Sequence, residues 1–184
     1  MQNIGFFNGE YEYGQDEFST FFKNICSSGI SKSNDVYKSF DMTKSDSEVK
    51  VDTGYAILDG FYFCNSEIKS IKIDKPKQYA RVDRIVIRLS KGISNNISIE
   101  SKLGKESLTP IPPDISRDKE FYELSLARVN VPIDGKITIV DERGNEDLCG
   151  FLIPKKGRVR NVFIQNNKPS ESESVSGTIW IQVE

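Results

Sequence analysis

The chain has 184 residues, a formal net charge of −2 and a hydrophobic fraction of 37%, which includes 11 Phe and 7 Tyr. This length predicts one domain, or one domain with an appendage, and the apolar content is enough for a packed core. Because the sequence has no histidine, Ser–His and Cys–His nucleophilic devices and the usual zinc sites are excluded. The near-neutral charge without a basic stripe argues against a dedicated nucleic-acid-binding protein.

The N-terminal part predicts one short amphipathic helix over Glu17 to Ser27, with Asp16 as N-cap and Gly29 as its stop. An apolar segment containing Phe6 and Phe7 precedes this helix. The apolar residues of the helix recur at i, i+3, i+4 and i+7 and form one stripe: Phe18, Phe21, Phe22 and Ile25. Such a stripe must be covered, either by the sheet of the same chain or by another subunit.

The middle of the chain predicts antiparallel hairpins. The run Arg81–Ser90, RVDRIVIRLS, alternates apolar residues with period two, and Asn96–Lys102 alternates again after a turn. Two Asp-Gly pairs, at positions 59–60 and 134–135, lie between apolar runs and predict two further hairpins. We expect the run from Glu120 to Val131 to be a third central strand, with two apolar groups on opposite faces: Tyr122, Leu124 and Leu126 on one, Ala127, Val129 and Val131 on the other.

The segment Leu108–Ser116 contains TPIPPD, whose three prolines forbid a helix and disfavour a central strand. It predicts a stiff extended loop that crosses the surface or links two sheets. Near the C-terminus, Arg158–Gln165 and Gly177–Val183 predict a long-looped hairpin. The fold class is therefore mainly β: an antiparallel β-sandwich-like domain over 1–153 with one N-terminal helix, and a hairpin arm over 154–184.

Candidate chemistry in the sequence is sparse. Four carboxylates lie close together in DERGNED: Asp141, Glu142, Glu146 and Asp147. They lack the alternating pattern of a calcium loop, so they predict a solvated turn and no metal or cofactor site. The wide spacing of the three cysteines fits neither a disulfide framework nor a metal motif, which favours a reducing compartment. No signal-peptide pattern and no membrane-spanning apolar run occurs in the sequence, so no membrane insertion is expected.

Four segments together resemble a family of tailed-bacteriophage structural proteins, the tail or baseplate components found at the virion-proximal end of fibre and receptor-binding proteins. In chain order they are VDTGYAILDGFYF (Val51–Phe63), RVDRIVIRLS (Arg81–Ser90), FYELSLARVNVP (Phe121–Pro132) and ITIVDERGNEDLCGFL (Ile137–Leu152). The late segment Asn166–Gln182 is similar to the short Pro-to-Gly-x-x-Trp hairpin of phage tail proteins. The resemblance rests on the joint order of the segments, because each one alone is a common strand pattern.

The resemblance implies a non-enzymatic virion part, assembled in the bacterial cytoplasm and repeated by symmetry in a phage, prophage or tailocin particle. Its expected partners are other tail or baseplate proteins and further copies of itself, a trimer being one candidate. Longer relatives continue into a shaft or a receptor-binding head, whereas this sequence stops at Glu184, which favours an assembly adaptor. A receptor-binding protein that reads a host carbohydrate through exposed tyrosines or Trp180 is the alternative. An enzyme such as a cell-wall depolymerase would require paired carboxylates in a cleft.

Two groups of residues are candidates for these roles. The apolar ends of the chain predict interface residues: Phe6, Phe7, Phe18, Phe21, Phe22, Phe163 and Trp180. The resembling segments carry charges inside apolar strands, and these predict partly buried ion pairs that fix strand register: Asp83, Arg84, Asp141 and Arg143. The alternative for the second group is solvated edge residues.

Overall fold

The computed structural model describes residues 13–33, 38–92, 94–155, 162–170 and 178–183. The chain divides into two compact units, Met1–Ile153 and Pro154–Glu184. Within the described residues, the elements are helix α1 (Gln15–Ile25) and strands β1 (Gly29–Ile30), β2 (Met42–Lys44), β3 (Glu48–Val51), β4 (Gly54–Leu58), β5 (Phe61–Asn65), β6 (Lys69–Lys72), β7 (Arg81–Ser90), β8 (Asn96–Lys102), β9 (Phe121–Val131), β10 (Thr138–Asp141), β11 (Val162–Ile164) and β12 (Ile179–Ile181).

The first unit is a mainly antiparallel β structure of the predicted class. Its strands form a four-stranded sheet in the order β10-β9-β7-β8 and two three-stranded sheets, β1-β4-β5 and β2-β3-β6. The three predicted hairpins are confirmed, since β7 pairs with β8, β4 with β5, and β9 with β10, all antiparallel. One core receives side chains from all three sheets, for example Leu58, Val51 and Ile87. This packing gives the sandwich-like arrangement.

The faces of β9 differ from the prediction. Strand register against β7 shifts between Ile85 and Val86, so that Ile85 lies opposite Ala127 while Val86 lies opposite Ser125. The extra residue on β9, Leu126, makes this a β-bulge, and a bulge reverses the alternation of faces beyond it. Both predicted apolar groups therefore supply the same core, which contains four of their members: Leu124, Leu126, Val129 and Val131.

Helix α1 begins two residues before the predicted start, so Asp16 is not the N-cap. The backbone N–H of Gly14, which directly precedes the helix, donates to the Glu17 carboxylate at 2.9 Å. A side chain of the first turn thus accepts from a backbone N–H that has no partner within the helix. The helix ends at Ile25, and Cys26 is extended. No helix among the described residues is long and apolar enough to cross a membrane.

In the second unit, the two predicted strands form, but the antiparallel hairpin is wrong. β11 and β12 pair in parallel, with Phe163 opposite Trp180. A parallel pair needs a crossover connection of roughly a dozen residues or more, and the sequence between Ile164 and Ile179 is long enough to supply one.

Candidate interaction surfaces

Helix α1 packs very closely on the β4–β5 turn. Gly60 in this turn has a φ of +90°, and a Cβ added there would lie 2.0 Å from the carbonyl oxygen of Ser19. Only glycine combines this backbone conformation with this close approach. The Asp59-Gly60 pair thus closes the hairpin and also forms the surface on which α1 packs.

Asp59 also holds α1 on the β4–β5 turn, through ion pairs. Its carboxylate contacts the ammonium of Lys23 on α1, and it lies 2.9 Å from the Lys91 ammonium in the turn after β7. Burial by itself would raise the pKa of Asp59, but the hydrogen bonds and charges of the two lysines outweigh it and lower that pKa. The carboxylate therefore stays ionised and connects the helix, the β4–β5 turn and the β7–β8 turn.

We expect acid to loosen helix α1. The pKa of Asp59 is lower in the folded chain than in the unfolded chain. The ionised carboxylate therefore stabilises the docking of α1 above the ordinary Asp pKa of about 3.9, and this stabilisation is lost as pH falls through the folded pKa. NMR titration of the α1 amides measures this loosening. Asp59→Asn removes the titrating group and should abolish the α1-specific part of the response; the same acid response in this variant would contradict the assignment.

A groove separates α1 from β5, and half of the residues that line it are aromatic. We call it the aromatic groove; its volume is about 640 Å³. Its apolar lining residues come from the helix side, from β5 and from β8: Tyr13, Phe18, Phe22, Phe61, Tyr62, Phe63 and Ile97. Tyr62 exposes 54% of its surface. The groove can accept an apolar or planar group without changing the core.

The predicted stripe on α1 is only partly covered. Phe22 is half-buried, while Phe18, Phe21 and Ile25 remain between 42% and 46% exposed. Of the two alternatives for covering the stripe, packing on the sheet of the same chain therefore accounts for only part of it. Phe6 and Phe7 lie outside the described residues.

Phe163 and Trp180 lie side by side in the second unit, as register partners of β11 and β12. The Trp180 indole N–H donates to the carbonyl oxygen of Gln165 at 3.0 Å, which fixes the ring while leaving it exposed. Ile164 and Ile181, which follow these residues in the two strands, are also exposed. This unit therefore presents a small apolar surface.

A charged cluster lies within the four-stranded sheet. Glu123 on β9 is fully buried and lies opposite Arg88 of β7. Its carboxylate accepts from Arg88 Nε at 2.6 Å, from Lys102 Nζ at 2.8 Å and from the backbone N–H of Ser116 at 2.7 Å. Burial opposes ionisation, but the hydrogen bonds from Lys102, Ser116 and Arg88 lower the pKa of Glu123 overall. This Glu123 cluster ties three strands to the end of the proline-containing loop.

The four predicted ion-pair residues all have charged partners. Asp83 is fully buried and accepts from Arg81 Nε at 2.9 Å. Arg84 Nε lies 3.6 Å from a Glu142 oxygen. Arg143 and Asp141 pair with each other, with Arg143 Nη2 2.7 Å from Asp141 Oδ2. Their proposed role in fixing strand register stays a prediction.

The segment Leu103–Ser116, which we call the proline loop, is anchored at several points. The N–H of Gly104 donates to Asp83 at 2.9 Å, and the N–H of Ser107 donates to the carbonyl of Ala80 at 3.0 Å. At its end, the N–H of Ser116 donates to Glu123. In addition, the Glu106 carboxylate accepts three backbone N–H groups, from Lys77, Gln78 and Tyr79. The loop is therefore held firmly although it has no regular secondary structure.

The DERGNED carboxylates do not converge. Glu142 is buried and accepts from the Ser125 hydroxyl at 2.6 Å, whereas Glu146 and Asp147 are exposed. Among the described residues, no group of three or more His, Cys, Asp or Glu side chains is placed to hold a metal ion. Sequence reasoning missed Glu123 and Asp59 as organising residues, because their partners are distant along the chain.

No family model and no curated protein matches this chain. Among solved structures, the gene 22 product of the Bacillus subtilis SPP1 phage is similar over 62% of this chain and 81% of that chain, with 13% sequence identity and a TM-score of 0.37.

Proposed function

We propose that this chain is a structural component of a phage, prophage or tailocin tail or baseplate. In this proposal it acts as an assembly adaptor, joins neighbouring virion proteins and catalyses no reaction. The assignment to a virion is supported by the four segments between Val51 and Leu152, which in this order along the chain resemble tail structural proteins. The adaptor part is supported by the surfaces that the fold presents.

The observation that carries the adaptor function is a fixed helix with an exposed apolar stripe. Gly60 and Asp59 hold one side of α1 in place. The helix nevertheless exposes large parts of Phe18, Phe21 and Ile25. Aromatic and aliphatic side chains on a rigid element are the usual anchors of protein–protein interfaces, because little conformational entropy is lost when they are buried.

The double variant Phe21→Ser, Ile25→Ser tests this function. We expect its light-scattering mass to fall below that of the wild-type assembly, while the free energy of unfolding changes by less than about 1 kcal/mol because both side chains are already half exposed. Thr20→Ser with Asn24→Ser is the matched control, since both residues are exposed polar positions on the same helix. An unchanged mass in the apolar variant would contradict the role of the stripe.

Removal of residues 1–8 tests Phe6 and Phe7 in the same assay, and an unchanged mass would exclude them from the interface. The virion location needs a separate measurement, a reconstruction of the particle by electron microscopy. The proposal requires density for this chain in the tail or baseplate, and its absence there would refute a virion role independently of the oligomeric state.

The aromatic groove favours one further candidate, a receptor-binding protein for a host carbohydrate. Aromatic rings such as Tyr13 and Tyr62 can serve as stacking surfaces for sugars, and both line the groove. A glycan array distinguishes the two functions. Saturable binding that Tyr62→Ala removes would favour the receptor-binding candidate over the adaptor.

A further inference from the structure

Strand β8 forms one edge of the four-stranded sheet, and among the described residues it pairs with β7 alone. Just past the end of β7, the N–H of Lys91 donates to the carbonyl of Glu120, on the β9 side of that strand. The backbone groups of successive strand residues point to alternate sides, so those of Ser90 point to its register partner on β8, Asn96. Asn96 and every second residue after it therefore bond to β7. The backbone groups that point away from the sheet belong to the residues between them: Ile97, Ile99 and Ser101.

The other sheet edges of the first unit are covered or protected. The N–H of Ile30 on β1 donates to the carbonyl of Gly150 at 3.0 Å, and helix α1 lies against β5. Arg143 joins the edges of β2 and β10, because it pairs with both Asp41 and Asp141. β6 has four residues and begins and ends with an exposed lysine, a usual protection of a sheet edge. β8, with seven residues and no proline or glycine, is the longest of these edges and is left open.

Two side chains at the end of β8 lack partners in a single copy of the chain. The Ser101 hydroxyl is buried and has no hydrogen-bond partner among the described residues. Leu103 lies two residues further on, on the same face as Ser101, and exposes 67% of its surface. The chain still runs beside β7 at this point, since the N–H of Gly104 donates to Asp83 at 2.9 Å. A strand added to this edge would reach both side chains.

We propose that β8 pairs antiparallel with β8 of a second copy, about a two-fold axis at Ser101. In this register the two Ser101 hydroxyls lie opposite each other, and one donates to the other. Ile99 lies opposite Leu103 of the second copy, which covers that exposed side chain. These residues carry the outward backbone groups, so each opposed pair exchanges both of its N–H···O bonds. The same surface serves both copies, and the contact therefore closes at a dimer.

Charge complementarity selects this register. Glu100 lies opposite Lys102 of the second copy on the outer face of the sheet, and the two-fold axis repeats the pair. Glu100 is about a third exposed, and Lys102 already contacts the buried Glu123, so the ammonium would connect carboxylates of both copies. A register centred on Ile99 would instead place Glu100 opposite Ser98, without a counter-charge from the second copy. The inference rests on the proposed function in that copies assemble, and it names a contact separate from the stripe of α1.

A cysteine at position 101 of the full chain tests the register. In a hydrogen-bonded antiparallel pair the two Cα atoms are about 5.5 Å apart, within the range that a disulfide spans. Ser101→Cys should therefore form a covalent dimer on oxidation in air, detected on a non-reducing gel. Ser98→Cys is the matched control, because its two copies would lie roughly 20 Å apart along the paired strands. The wild type, with its three free cysteines, sets the background.

Ser101→Pro tests the backbone pairing. It removes an outward N–H and leaves the bonds to β7 in place, and proline is tolerated where the N–H of an edge strand faces solvent. Sedimentation velocity should show self-association weakened about tenfold or more, because each copy loses a hydrogen bond and brings a ring into the contact. Ser101→Ala keeps the N–H and should associate more strongly than the proline variant. Circular dichroism and thermal unfolding confirm that both variants are folded.

Equal yields of covalent dimer from Ser101→Cys and Ser98→Cys, or a yield no higher than the background, would overturn the inference. A folded proline variant that associates like the wild type would do the same, and so would a wild-type chain that is monomeric in this assay. If the proline variant does not fold, the comparison of the two cysteine variants decides alone. The cross-link at position 101 should persist in the Phe21→Ser, Ile25→Ser variant, so failure of this contact is distinguished from failure of the stripe. Particle location is tested separately.

Discussion

Replacing Glu123 by glutamine is expected to lower the free energy of unfolding by about 3 kcal/mol. The glutamine keeps the size of the side chain but removes the negative charge that Arg88 and Lys102 share. Two largely buried cations would then face each other across a neutral amide, and the hydrogen bond from the Ser116 N–H would weaken. Urea denaturation of the purified chain measures the loss.

Glu100→Gln is the matched control for this prediction. Glu100 also pairs with Arg88, but its side chain is about a third exposed, and pairs of this kind contribute less than about 1 kcal/mol. The wild type should in addition lose stability as pH falls below about 4.3, the ordinary Glu value, because the folded pKa of Glu123 is lowered. Equal losses in the two variants would show that burial of Glu123 has no special effect.

Gly60→Ala is expected to detach helix α1 from the β4–β5 turn. The alanine Cβ would lie 2.0 Å from the Ser19 carbonyl oxygen, so either the helix or the turn must move. The positive φ adds a conformational cost of roughly 1 kcal/mol or more. We expect the substitution to make the docking of α1 less favourable by more than about 3 kcal/mol. Hydrogen exchange would detect this as a loss of protection of the α1 amides.

Gly135→Ala separates these two causes. Gly135 belongs to the other Asp-Gly turn and has a similar φ of +101°, but a Cβ there would meet only the Pro132 ring at 4.0 Å. This variant should therefore show only the conformational cost and keep α1 protected. If both variants leave α1 equally protected, the close approach of Ser19 to Gly60 does not exist in solution.

The Gly60 variant also connects the fold to the proposed assembly. Detachment of α1 from the β4–β5 turn removes one wall of the aromatic groove and displaces the apolar stripe of α1. We therefore expect Gly60→Ala to reduce self-association as well, whereas Gly135→Ala should not. A fold defect at the turn after β4 would thus be detected as an assembly defect.

Local patterns in the amino-acid sequence are sufficient to predict the individual helix, strands and turns. The Asp-Gly pair at 59–60 specifies a tight hairpin because both turn residues take positive φ, and here both do. The spacing of Phe18, Phe21 and Ile25 specifies an amphipathic helix, and the alternation of Arg81–Ser90 specifies a strand. These signals depend on neighbours a few residues away, so they can be read without the tertiary structure.

The way in which those elements combine becomes visible in the folded chain and not in local patterns. The bulge at Leu126 placed both apolar groups of β9 in one core, and the long connection between β11 and β12 allowed a parallel pair instead of a hairpin. The tertiary structure also brings Glu123 next to Lys102 and Asp59 next to Lys23. It anchors the proline loop while Ile111 remains exposed. Register, ion pairing and exposure depend on residues that are distant along the chain, and no local pattern encodes which of them will meet.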